Sequence, residues 1–234
     1  MSRGIAVVSG GLDSVTMLYS LLAQDDIEVV SFNYGQRHAK ELDQARLITS
    51  HLGIPHRIIG IRSFGEAIAH GSSSLVNTDT EVPEGSYDDE NMKATVVPNR
   101  NMVMLSMAAG VAIASKAQFV ATAVHAGDHA IYPDCRPDFM RKLSQAIKSG
   151  NEGFIDPGFF IRTPFIYQTK TDIASLAGRL SVPIELTWSC YKGGEKHCGR
   201  CGTCVERLEA IHNAGVTDRT PYADTEFWKT AVNK

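Results

Sequence analysis

The sequence has no apolar run of about 18 residues and no basic opening followed by a shorter apolar stretch, so neither a membrane span nor a signal peptide is expected, and the expected compartment is the cytoplasm. It also lacks a surplus of one charge. With 23 basic and 26 acidic residues the net charge is −3, which leaves no footprint for wrapping nucleic acid and favours a small-molecule substrate. Cysteine is scarce and unevenly placed. Four of the five, Cys190, Cys198, Cys201 and Cys204, crowd into fifteen residues, which in a reducing compartment disfavours a disulfide framework and favours a metal. Internal repeats and low-complexity tracts are missing as well. What is there, 234 residues with 43% hydrophobic content, suffices to bury one core and favours a single α/β domain over residues 1–234 rather than two.

A short apolar run, Ile5 to Val8, reads as a strand; the turn SGGLDS follows, and Val15, Leu18 and Leu22 carry helical spacing. IEVVSFN (27–33) reads as a second buried strand, AKELDQARLITSHLG (39–53) as an amphipathic helix closed by a glycine, and HRIIGI (56–61) as a third strand. Strands alternating with helices imply right-handed crossovers and a parallel sheet, hence a doubly wound α/β core with helices on both faces. Ligands in such folds sit at the carboxyl ends of the strands, where SGGLDS falls. Residues 71–98 break the pattern, being polar, acidic and aperiodic. The stretch is too long for a passive connector and reads as a lid over the site, with disorder as the alternative. Beyond it come an apolar helix (102–115), a strand (118–124), a polar loop (125–136), a helix from Pro137 to about Lys148, and a helix over 169–180 with Pro183 past its end.

In the turn, Gly10 and Gly11 permit backbone conformations closed to other residues, so that successive N–H groups converge on an anion while the following helix adds its dipole. Ser9 and Ser14 add hydroxyls. Asp13 repels phosphate unless it coordinates Mg2+, directly or through water, or bonds the loop amides. The plainer reading is a strand-to-helix turn that Asp13 or Ser14 merely caps. The turn has no lysine, so the P-loop pattern GxxxxGK[ST] does not run through it.

The cysteines are spaced C-x7-C-x2-C-x2-C, with Gly199 and Gly202 permitting close turns. Four thiolates match the tetrahedral preference of Zn2+ and leave no position for water. The spacing therefore predicts a closed structural site pinning its loop to a helix from about Thr203 to Asn213, within a zinc-binding subregion over 187–213. An iron–sulfur cluster is the alternative. His197, next to Cys198, is expected to be an exposed histidine.

SGGLDS, set between strand one and helix one, resembles the SGGxDS pyrophosphate loop of the ATP pyrophosphatase, or PP-loop, superfamily. The resemblance implies a Rossmann-like fold of the adenine nucleotide alpha hydrolase kind, with ATP held by its phosphates and cleaved between the α and β phosphorus. The missing lysine agrees, since that lysine serves γ-phosphate chemistry. By the same analogy the nucleotide-binding residues are Val8, Ser9, Gly10, Gly11, Leu12, Asp13, Ser14, Val15, Thr16, Met17 and Leu18. FNYGQRH (32–38), VPNRN (97–101), VHAGD (124–128), YPDCRPDF (132–139) and TWSCYKGGEKHCGRC (187–201) are similar to one group within the superfamily, the 7-cyano-7-deazaguanine synthases of queuosine biosynthesis. Membership implies a carbon–nitrogen ligase that turns 7-carboxy-7-deazaguanine and ammonia into the nitrile preQ0 with ATP and Mg2+. It also implies one structural zinc on Cys190, Cys198, Cys201 and Cys204, a homodimer, and neither nucleic acid nor membrane as a partner.

Within that reading Asp13, Arg100 and His125 are the candidate catalytic residues. The guanidinium forks of Arg37 and Arg100 match a carboxylate or an α-phosphate, and either can instead sit on a solvated helix start. His125 is a candidate to deprotonate ammonium or to steady the pentacovalent phosphorus, with a structural role as the alternative. Asp134 is the candidate for reading paired donors on a guanine-like edge, with Asp128 competing. Tyr34 or Phe32 offers a stacking face for adenine or belongs to the core. Cys135 reads as a small buried hydrophobe before a nucleophile, and Met102, Met104 and Met107 as core. Two other functions fit the motifs less well: a tRNA thiolase or lysidine-type synthetase needs an RNA-binding appendage or a basic face, and a nucleotide sensor has no need of Asp13 and two arginines. A relative that joins the deazapurine acid to another acceptor fits the same motifs.

Overall fold

The computed structural model describes residues 1–69, 73–77 and 79–232, the side chain of residue 89 excepted. Strands β1 (Arg3–Val7), β2 (Asp26–Asn33), β3 (His56–Gly60), β4 (Phe119–Ala121) and β5 (Phe160–Arg162) form one sheet in the order β3-β2-β1-β4-β5, each pair parallel. The order reverses beside β1, so the crevice between the ends of β1 and β4 is the position where such sheets bind ligands. Helices α1 (Leu12–Leu22), α2 (Lys40–Leu52), α3 (Arg62–Ile68), α4 (Asp89–Met92), α5 (Arg100–Ala114), α6 (Pro137–Gly150), α7 (Lys170–Arg179), α8 (Gly202–Asn213) and α9 (Phe227–Ala231) complete the described chain.

Alternation along the strands builds two cores. Ile5, Val30, Phe32 and Val120 pack with Leu105 and Ala108 of α5 and Met140 and Leu143 of α6. Their neighbours Ala6, Val29, Phe119 and Ala121 face the other way, onto Leu18 of α1, Ile173 and Ala177 of α7, and Ile211 of α8. A period of two thus covers both faces of the sheet with helices, the doubly wound arrangement expected. No helix among the described residues is long and apolar enough to cross a membrane.

Local chemistry sets the helix ends. Gly53 closes α2 in the left-handed region at φ 65°, a conformation that costs glycine no Cβ clash. Thr169 and Asp172 form a reciprocal capping box at the start of α7, at 3.2 and 2.9 Å. Helix α5 begins two residues before the expected Met102, because Asn99 adopts a left-handed conformation and turns the chain there. The strand expected over 118–124 holds regular pairing for three residues only, after which the chain leaves the sheet to enter the site. Helix α5 also corrects one methionine: Met107 packs on the core, whereas Met102 is exposed. Within 71–98 the described residues are packed: Leu75 and Met92 are fully buried, and Ser74 N–H donates to the Ala94 carbonyl at 2.7 Å.

Candidate active site

The turn after β1 shapes the floor of a cavity of about 230 Å³. At φ 104° Gly10 takes a conformation that disfavours side chains, and a Cβ there would lie 2.0 Å from the Glu41 carbonyl oxygen. Gly11 needs no such freedom, being extended at φ −75° as the N-cap of α1. The amides of Ser9 and Gly10 both donate to Ser14 Oγ, at 3.2 and 3.3 Å, and that of Gly11 donates to Ser9 Oγ at 3.2 Å. Three successive N–H groups thus converge on hydroxyl oxygens, a nest suited to anionic oxygens. No side chain caps α1, so the plain capping role for Asp13 or Ser14 does not hold. Val8, Ser9, Gly11, Leu12, Asp13 and Ser14 line the cavity. Val15, Met17 and Leu18 turn into the core and Thr16 Oγ1 bonds the Leu12 carbonyl at 2.7 Å, so of the expected nucleotide-binding stretch 8–18 the cavity-lining residues end at Ser14.

Asp13 meets Lys170 and His125 from distant segments, and these two bring Glu206 and Asp128 into one cluster. Asp13 Oδ2 accepts from Lys170 Nζ at 2.6 Å, and Lys170 also pairs with Glu206 at 3.3 Å. His125 Nε2 stands 4.0 Å from Asp13, 3.6 Å from Asp128 and 3.9 Å from Glu206. Burial opposes charge on Asp13, but Lys170 and then His125 outweigh it and hold its pKa below the usual carboxylate value. Burial likewise opposes the Lys170 ammonium, and Asp13 and Glu206 overcome it and raise its pKa. Glu206 is pushed up by its burial, which Lys170 and His125 relieve only in part. His125 Nδ1 accepts the Gly127 N–H at 3.1 Å, which places the proton of the neutral ring on Nε2, facing the carboxylates. It therefore presents a donor to the cavity rather than a lone pair. Asp128 accepts from the Tyr87 hydroxyl at 3.0 Å, so the segment expected as a lid contributes a wall of this cavity.

Across the cavity, at the first position of α5, the Arg100 guanidinium lies among Tyr34, Tyr132, Tyr191 and Cys135, with no carboxylate among its strongest charge neighbours. Phe32 and Tyr34 serve both readings, lining the cavity while packing in the core. Two expected substrate residues lie elsewhere. Arg37 donates to the carbonyls of Asn77 and Thr80, both at 3.0 Å, because its helix start faces the 73–80 stretch rather than the cavity. Asp134 accepts from the Asn101 amide at 3.1 Å, since the single turn that carries it abuts the N-terminus of α5. Cys135 is buried, its thiol pKa raised first by desolvation and then by Asp128 and Asp134, which suits a packed thiol.

The four cysteines meet as their spacing predicts. Their sulfurs lie within 4.8 Å of one another and none is in a disulfide. The amides of Arg200 and Cys201 donate to Cys198 Sγ at 3.4 and 3.2 Å, the N–H···S bonds of a knuckle that supports thiolate charge. The donor set fits a metal centre. Val82 and Trp188 pack on it, and Gly85 N–H donates to the Arg200 carbonyl at 3.0 Å, so the node also gathers a segment outside 187–213. His197 corrects an expectation: it is buried, stacked at 4.3 Å on Trp188, with Nε2 accepting the Ser189 amide at 3.0 Å.

Lys170 and Glu206 escape sequence reasoning, yet Lys170 carries a signal. A cation at the first position of a helix opposes the helix dipole, so a lysine there points to a partner elsewhere. Glu206, on the exposed-looking stretch VERLEA, carries none.

Fold and site together define a doubly wound α/β protein whose first strand-to-helix turn gathers three backbone amides, with the Lys170 cation delivered beside it by a distant helix. The chain belongs to the family described as queuosine biosynthesis protein QueC, whose family model matches residues 3–215. It is 51% identical over 231 residues to the 7-cyano-7-deazaguanine synthase of Ruegeria pomeroyi, covering 98% of each chain. To the 7-cyano-7-deazaguanine synthase of Brucella ovis it is 48% identical over 233 residues, covering 99% of this chain and 98% of the relative.

Proposed function

We propose that this protein makes 7-cyano-7-deazaguanine from 7-carboxy-7-deazaguanine, ammonia and ATP. The observation that carries the reading is one cavity lined both by the amide turn at Ser9–Gly11 and by Arg100, which forms no ion pair with a carboxylate among the described residues. The nest receives the phosphates, and Arg100 takes the substrate carboxylate as a planar fork. A carboxylate resists a nucleophile because it is already anionic. Its oxygen attacks the α-phosphorus and expels pyrophosphate, giving an acyl adenylate whose leaving group is AMP. Ammonia displaces AMP and leaves the amide. The amide oxygen then attacks the α-phosphorus of a second ATP, expelling pyrophosphate while the nitrogen sheds one proton, and loss of AMP and the remaining N–H proton from that adduct gives the nitrile.

Lys170 faces the turn as the cation that balances charge building on the departing pyrophosphate, and His125 offers its Nε2 proton as a donor nearby. Asp13 Oδ1 is buried and has no hydrogen-bond partner, so an oxygen-seeking Mg2+ fits beside it. When bound, Mg2+ supplies neutralisation of the triphosphate. Zinc is our assignment for the cysteine centre. Four sulfurs on one tetrahedral Zn2+ with bonds of about 2.3 Å lie about 3.8 Å apart, against 3.9 Å between Cys198 and Cys204. A cluster with each thiolate on a different iron needs a wider spacing. A homodimer, which the family resemblance implies, is read by light scattering at twice the chain mass.

The test is incubation with Mg-ATP, ammonium and 7-carboxy-7-deazaguanine, following base products by mass and phosphorus products by NMR. The expected products are the nitrile, AMP and pyrophosphate. Absence of the nitrile overturns the reading, and ADP with phosphate overturns the adenylation steps.

A further inference from the structure

A second cavity, of about 360 Å³, adjoins the first, and the two share Tyr87, Lys170 and Glu206. The shared side chains form a polar partition. Lys170 is tied to Asp13 at 2.6 Å, whereas Glu206 receives no hydrogen bond from a described residue and stands in a looser ion pair with Lys170 Nζ at 3.3 Å, with His125 Nε2 at 3.9 Å. Gly127 keeps the approach to Glu206 open, since a Cβ there would stand 3.3 Å from Glu206 Oε1. One helical turn along α8, Glu209 adds a second carboxylate to the outer wall. Lys170 offsets one of the two carboxylates, so Glu206, Glu209 and Lys170 leave the wall with a net formal charge of −1, which disfavours pyrophosphate and nucleotide and favours a small cation. The space accommodates an ion of about the size of water, roughly 30 Å³, several times over.

We propose that this second cavity is the entry and binding site for ammonium, and that Glu206 is the group that takes its proton. The identity of the ligand rests on the function proposed above. Ammonium gives one proton to the Glu206 carboxylate, and the nitrogen lone pair so freed attacks the acyl carbon. The carbon–oxygen bond to AMP then breaks, and the amide nitrogen sheds one further proton to solvent. His125 does not serve as this base while its Nδ1 accepts the Gly127 N–H, because that bond leaves the ring proton on Nε2. Burial makes Glu206 a stronger base than an exposed carboxylate, in keeping with the assignment.

Two measurements test the site. Glu209→Lys reverses the outer charge without touching the phosphate turn, so KM for ammonium rises about tenfold, at the lower end of what focusing by surface charge supplies, while KM for ATP and for the acid stays unchanged. If all three constants shift together, or none does, the inference falls. The second measurement needs no turnover. Crystals soaked in rubidium chloride, whose cation stands in for ammonium, show an anomalous peak against Glu206 in the wild type and none in Glu206→Gln. A wild-type cavity without rubidium, or one that takes Mn2+ in its place, overturns the site even if the nitrile is made. A rubidium peak in a protein that makes no nitrile leaves the site standing and sinks only the function.

Discussion

Lys170 reaches Asp13 across 157 positions of sequence and brings to the phosphate turn the cation that the turn lacks. Its removal leaves Asp13 buried without the Lys170 cation beside it and, on the proposed function, takes from the cavity the positive charge set against the departing pyrophosphate. Lys170→Met is therefore expected to lower kcat by about a hundredfold or more, with far-UV circular dichroism unchanged. Glu206 makes a separate prediction about pH. Its folded pKa is raised above the unfolded value of 4.5, first by burial, so the folded protein holds this proton more tightly. The stability this contributes is complete below the unfolded value and is lost as pH rises through the folded one. Urea midpoints of Glu206→Gln should match wild type near about pH 4 and gain on it at neutral pH. A gain at acid pH alone would reverse the sign and refute the assignment. At this scale the sequence is legible where chemistry is local. SGGLDS names its own turn, but the partners of Asp13 come from helices whose approach depends on tertiary packing, and Arg37 and Asp134 look like ligands until their backbone partners are seen.

Among the elements, those with strong periodicity were readable within about two residues: α1, α2, α6, α7 and the strands β1 to β3. β5 was not. It is three residues long at the sheet edge, with Phe160 half exposed, too short for alternation to register. Two elements carry predictions. Gly10→Ala must move the turn away from the Glu41 carbonyl at the start of α2, which opens the nest. The expected result is loss of ATP binding by calorimetry, with a loss of stability of roughly 1–3 kcal/mol. Helix α8 holds its surroundings through Arg207, which is fully buried and donates to the Ile184 carbonyl, Thr187, Ser189, Thr220 and the Tyr222 hydroxyl at 2.7–3.1 Å. Arg207→Met fills similar volume but strands those acceptors, at about 3–5 kcal/mol, as for other broken buried charge networks. Thermal unfolding should fall by roughly 10 °C.

The whole molecule ties its two motifs together. Trp188 packs on the cysteine node, and its backbone N–H donates to the carbonyl of Gly10, the residue on which the glycine turn pivots, at 2.9 Å. Lys40 of α2 lies over the Trp188 ring at 4.3 Å and bonds the Glu195 carbonyl at 2.7 Å. The metal loop, the nest and α2 therefore form one continuous contact, although the cysteines lie more than 170 positions from the turn. Spacing alone disclosed the four-cysteine cluster because its members are near neighbours in sequence, whereas no pattern in the sequence announces that Trp188 reaches Gly10. Cys201→Ser removes one ligand and weakens metal binding, so free thiols and chelators should lower the unfolding temperature together. The contact predicts more than that. Metal loss should also raise Kd for ATP, because the Trp188 N–H no longer holds the Gly10 carbonyl and the amides of Ser9 to Gly11 lose their common direction. Calorimetric titration of ATP before and after chelation, at a temperature where the chelated protein stays folded, separates this coupling from global unfolding. Unchanged Kd would show that the metal holds its own loop and nothing beyond it.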